Sequence, residues 1–87
     1  MLKIKDNVDL KELEKYGFEY DFKLNYYVKR INYQFYYREI VVFINNPNYK
    51  VRELKVYSSI IQDNPSEKWL ESNIQDLIKA NLIEKVE

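Results

Sequence analysis

The chain has no cysteine and no histidine, only one glycine and two prolines, and no apolar run near the ~20 residues that would span a bilayer. Each absence removes a class of chemistry. Without His or Cys there is no imidazole base near neutrality, no thiolate nucleophile and no soft metal ligand, so Ser-His-Asp, Cys-His and zinc mechanisms are excluded. One glycine cannot build a glycine-rich phosphate loop, which removes P-loop and Rossmann nucleotide binding. No disulfide framework is available, and a small domain without one suits a reducing interior. The charged stretch Met1 to Asp9 lacks the apolar core of a signal peptide, so the expected location is cytoplasmic and no membrane partner is expected.

What remains is aromatic and charged. Nine Tyr, four Phe and one Trp occur among 87 residues, and the formal net charge is zero. Such a length supports one domain, residues 1–87, with a single core. The charges are unevenly placed. Residues 1–21 hold four Lys against six acids, residues 22–52 hold Lys23, Lys29, Arg30, Arg38, Lys50 and Arg52 against Glu39 alone, and residues 53–87 hold four Lys against seven acids. A basic, aromatic middle between acidic ends can steer a partner, although sheets also carry Lys and Arg simply to protect their edges.

Val8 to Gly17 predicts a short helix. Asp9 is its N-cap, Glu12 completes a capping box, Val8 and Leu13 form a hydrophobic staple, and Gly17 takes the left-handed stop with Phe18 folding back onto Leu13. Phe18 to Phe22, Asn25 to Arg30, Tyr33 to Ile44 and Tyr49 to Ser58 read as strands, separated by turn-prone Lys23 to Asn25, Asn32 and Asn45 to Asn48. A second helix is expected after Asn64 as cap, with Pro65 in its first turn and Glu67 closing a capping box. Its stripe is Leu70, Ile74, Leu77 and Ile78, with Asn81 as left-handed stop and Leu82, Ile83 and Val86 packing back. The expected fold is α+β, a four-stranded antiparallel sheet with two helices on one face in the order α-β-β-β-β-α. Tyr33 to Ile44 is apolar on both faces, so either a bulge near Arg38 and Glu39 shifts its phase or an aromatic face is left for a partner.

The first helix, Val8 to Phe18, and the segment Leu77 to Val86 together resemble the two ends of small uncharacterised phage and prophage proteins of AT-rich Gram-positive bacteria. The likeness covers about a quarter of the chain. It implies a phage setting in a host cell cytoplasm and no particular activity. Compact phage proteins of this kind include inhibitors of host defence such as anti-CRISPR proteins, which occupy a surface of their target.

The functional constellation is Tyr26, Tyr27, Tyr33, Phe35, Tyr36, Tyr37 and Tyr49 interleaved with Lys29, Arg30, Arg38, Lys50 and Arg52. Tyr and Arg dominate protein hot spots, and they also stack on bases and neutralise phosphate in single-strand binders. Packing alone would explain about half of these rings, as core residues and cross-strand pairs. The residues assigned to partner binding are Tyr26, Tyr27, Lys29, Arg30, Tyr33, Tyr36, Tyr37, Arg38, Tyr49 and Arg52. A protein partner such as a host defence protein, or a second copy in a homodimer, is favoured over nucleic acid because no Gly-aromatic RNA-binding motif is present. Trp69, beside the helix stripe, reads as a cap on the core edge or as an anchor for another chain. The carboxylates Glu12 with Glu14, Glu67 with Glu71, and Asp76 do not converge with other catalytic groups, so no enzyme, metal or cofactor is expected.

Overall fold

The computed structural model describes residues 1–44 and 52–86. Within them the order is β1 (Leu2–Ile4), a 3-10 helix (Leu10–Tyr16), β2 (Glu19–Asp21), β3 (Tyr26–Asn32), β4 (Tyr37–Phe43), β5 (Leu54–Ser58), α1 (Glu67–Asn73), α2 (Gln75–Lys79) and β6 (Ile83–Lys85). The α+β class and the four-stranded antiparallel sheet are present, in the order β2-β3-β4-β5.

The helices depart from the expected pair. The first is a 3-10 helix; Asp9 caps it by accepting from the Lys11 N–H, while the Glu12 carboxylate accepts from Lys15 Nζ at 2.9 Å. Its stop is as expected. Gly17 is left-handed at φ 89°, its N–H reaches the Glu14 carbonyl, and the Phe18 N–H reaches the Leu13 carbonyl, a Schellman ending that buries Phe18 on the core. Asn81 repeats the device at φ 63°, with Leu82 donating to the Leu77 carbonyl and Asn81 to that of Ile78.

The second helix starts at Glu67 with Ser66, not Asn64, as its cap. The Ser66 hydroxyl accepts from the Trp69 N–H at 3.1 Å. A residue before proline is pushed toward extended backbone, so Asn64 stays outside the helix and Glu67 falls at its first position. The helix then breaks at Ile74 (φ −127°, ψ 26°). Around the break, Ser72, Asn73 and Gln75 donate side-chain hydrogen bonds to the carbonyls of Lys68, Trp69 and Glu71. Such bonds compete with the helical ladder. Leu70, Ile74 and Leu77 remain buried across the break, whereas Ile78 turns outward.

A feature absent from the expected order is a second sheet. β1 pairs antiparallel with β6, Leu2 opposite Lys85 and Ile4 opposite Ile83, and an isolated bridge links Lys3 to Glu53, the residue before β5. Leu2 and Ile4 thereby enter one core with Leu13, Phe18, Tyr27, Ile40, Val42, Leu54, Leu70, Ile74 and Leu77.

No bulge resolves the two-sided apolar pattern of β4. Register is unbroken from Tyr26 opposite Phe43 to Asn32 opposite Tyr37, and from Val42 opposite Leu54 to Arg38 opposite Ser58. Period-2 alternation puts Ile40 and Val42 on the core face and Tyr37, Glu39, Val41 and Phe43 on the other. Val41 is only 1% exposed yet lies outside the core cluster. It is buried from the opposite side, between Val28 and Lys55 across the ladder and Glu39 and Phe43 along its own strand.

Candidate protein-interaction surface

That outer face largely shields itself. Tyr26 meets Phe43 edge-on at 5.5 Å, and Phe43 meets Tyr57 at 6.4 Å. The Arg30 guanidinium lies 4.0 Å over the Tyr37 ring and 3.2 Å from the Glu39 carboxylate. Lys55 pairs with Glu53. Burial pushes the Tyr26 hydroxyl above the ordinary tyrosine range.

The residues assigned from sequence therefore do not converge on one face. Tyr26, Arg30 and Tyr37 lie on the outer side. Tyr27 is in the core beside Tyr20, and burial raises its hydroxyl pKa. Lys29 lies on the core side of β3, its Nζ 6.0 Å from the Phe18 ring. Arg52, itself left-handed at φ 71°, donates through one guanidinium nitrogen to the carbonyls of Lys5 (2.8 Å) and Val8. It is a structural tie, not a free cation. Tyr49 and Lys50 lie outside the described residues.

Tyr33, Tyr36 and Arg38 meet at one end of the sheet. Tyr33 and Tyr36 close the β3–β4 turn, with their rings stacked at 4.7 Å and the Tyr33 N–H on the Tyr36 carbonyl. Arg38 makes a bidentate pair with Asp63, both bonds 2.7 Å, and its guanidinium lies 4.9 Å from the Trp69 ring and within 6 Å of both tyrosine rings. The Trp69 indole N–H donates to the Tyr33 hydroxyl at 2.8 Å. Trp69 is thus a half-buried cap on the core edge that also ties α1 to the turn. Arg38, and secondarily the Ser58 hydroxyl, hold the Asp63 carboxyl below the usual carboxylate range. Tyr37 N–H donates to Ser59 Oγ, and Ser59 N–H to the Tyr37 carbonyl, which brings the segment after β5 alongside the turn.

On this frame stand the most exposed apolar side chains of the region. Phe35 is 86% exposed at the turn tip, Ile61 is 100% exposed, and Ile60 and Tyr33 are also exposed. Ile31–Tyr37 and Val56–Gln62 contain no charged residue, in a chain that is 32% charged. Ile60 and Ile61 were not among the sequence assignments. Their signal was an apolar pair inside an uncharged stretch, in the interval between the strand expected to end at Ser58 and the helix cap expected at Asn64, to which no element was assigned.

Among the described residues no three acidic side chains are close enough to hold a metal ion, and no helix is long and apolar enough to cross a membrane. In comparison with known proteins, no family model, curated protein or solved structure matches the chain.

Proposed function

We propose that this chain is a small binding protein that acts by occupying a surface of another protein, without catalysis, in the manner of the phage inhibitors of host defence that its ends resemble. The host cytoplasm is where such a protein would work. The observation that carries the reading is the sheet end where Phe35, Ile60 and Ile61 are exposed on two uncharged segments fastened by the Arg38–Asp63 pair and the Trp69–Tyr33 bond. Large apolar side chains held rigid lose little entropy on binding and are the usual anchors of an interface. The surface proposed is thus the sheet end, in place of the sheet face expected from the sequence.

Nucleic acid is less well supported. Arg30 and Arg38 are paired with acids and Arg52 with backbone carbonyls, so none of these three arginines is held free for a phosphate chain. A photo-crosslinking residue at position 35 or 61, compared with one at Gln75 on α2, tests the reading in the cell that makes the protein. The expected result is one defined protein adduct from positions 35 and 61, absent at Gln75, insensitive to salt and, for position 35, lost on Ile61→Asp. Adducts to nucleic acid that fall away steeply with salt would overturn it.

A further inference from the structure

The start of β2 leaves a step in the sheet. Pairing of β2 with β3 begins at Glu19, opposite Val28, because left-handed Gly17 turns the preceding chain away into the 3-10 helix, whereas β3 runs on through Lys29, Arg30, Ile31 and Asn32. The ladder decides what this step presents. The Ile44 N–H bonds to the Asn25 carbonyl and the Tyr33 N–H to the Tyr36 carbonyl, so odd residues of β3 use their backbone groups on β4 and even residues turn theirs to the other side. There Tyr26 and Val28 meet β2, but the N–H and C=O groups of Arg30 and Asn32 face no strand among the described residues.

Beside Arg30 lies a cavity of about 360 Å³ lined by Gly17, Glu19, Val28, Arg30 and Glu39. The Arg30 guanidinium is drawn off to one side, over the Tyr37 ring and onto the Glu39 carboxylate. Lys29 points to the other face of the sheet, toward the Phe18 ring. Two carboxylates thus line the cavity against one guanidinium, and that of Glu19 is exposed.

We propose that this step receives an extended segment of a partner protein carrying a lysine or arginine, which adds to the sheet in line with β2. The segment's residue opposite Arg30 exchanges both backbone hydrogen bonds with it, as in other cases of strand addition. Residues paired across a ladder share a face, so the side chain of that residue enters the cavity. An aliphatic stem then lies on Val28 and a cationic head meets the Glu19 carboxylate. An acidic side chain in the same place would face Glu19 and Glu39, and a phosphate chain would bring no donor for the Arg30 carbonyl. Asn32 leads directly into the turn that carries Tyr33 and Phe35, so the step adjoins the surface described above. A partner seated on that surface can lay a basic segment along β3; this use rests on the proposed function, whereas the strand site itself does not.

An NMR titration of the isotope-labelled full chain with blocked pentapeptides tests the site. The probe is a lysine flanked on each side by two threonines; the controls replace the lysine with glutamate or methylate its backbone nitrogen. The expected result is saturable shifts of the Arg30 and Asn32 amides with millimolar lysine peptide, binding about tenfold or more weaker for the glutamate peptide, and none for the N-methylated one. Glu19→Gln should narrow the preference for lysine and Glu19→Lys should remove it, with far-UV circular dichroism as the check on folding. No partner is needed for this titration, so it fails separately from the crosslink at positions 35 and 61. Shifts that spare Arg30, equal binding of the lysine and glutamate peptides, undiminished binding of the N-methylated peptide, or a preference indifferent to both Glu19 variants overturns the proposal.

Discussion

The two ends of the four-stranded sheet present similar tips, each an exposed phenylalanine on a hairpin with tyrosines behind it, but they are held in different ways. The Phe22 end is held chiefly by its own residues: Asp21 to Lys23 and Leu24, and Tyr20 to Asn25, no more than five positions apart. The Phe35 end is held by residues far along the chain, Arg38 by Asp63 and Tyr33 by Trp69, separations of 25 and 36. One tip is a local device that any copy of the hairpin would carry, whereas the other exists only when β5, the linker and α1 have all docked.

Variants can break that contrast at graded cost. Arg38→Ala should have the largest effect, on the order of 2 kcal/mol, because three rings lose the cation between them and Asp63 its partner. Thermal melting followed by Trp69 fluorescence reads it, since the indole loses its neighbour. Next comes acid. The folded Asp63 pKa lies below the unfolded value, so its pairing stabilises the protein above about pH 4 and is lost as pH falls through the folded pKa. Wild type should therefore lose Trp69-reported stability below pH 4, and Asp63→Asn, already weaker at neutral pH, should lose less over the same range. At the other end, Asp21→Ala removes two acceptor bonds from an exposed turn and should cost about 1 kcal/mol, without changing Trp69 emission. Smallest of all, Phe35→Ser should shift stability by no more than ~0.5 kcal/mol, because that ring packs on nothing it would leave exposed. If Asp21→Ala instead disturbed Trp69 as much as Arg38→Ala, the two ends would not be independent.

Local chemistry was the legible part of the sequence. Gly17 with Phe18, and Asn81 with Leu82, announce their helix stops because a Schellman ending is written within six consecutive residues. β2, β4 and β5 fall inside the aromatic and β-branched runs for the same reason, whereas β3 runs on past Arg30 through Ile31 and Asn32, which pair with Arg38 and Tyr37, so Asn32 is not the turn residue expected. What the residues did not announce depends on distant partners. β1 and β6 are three residues each and become strands only by finding one another. The break at Ile74 needs three side chains to turn back on the ladder together. The basic residues looked like a surface because Asp63, Glu39 and the Lys5 and Val8 carbonyls, which take up Arg38, Arg30 and Arg52, are invisible without the fold. Composition foretold the aromatic surplus, and only the register of β4 shows that much of it covers Val41.

The pairing of β1 with β6 bears on how the core closes. Leu2 and Ile4 are core residues, yet the strand that fixes them is remote in sequence: Leu2 lies opposite Lys85, and the backbones of Met1 and Val86 exchange hydrogen bonds across 85 positions. Neighbouring strands of the β2 to β5 meander pair at small loop-closure cost, whereas β1 and β6 meet only after the longest closure in the described chain. Until they do, the core stays open on one side, and a partly folded chain exposes Leu2 and Ile4 to whatever apolar surface is near.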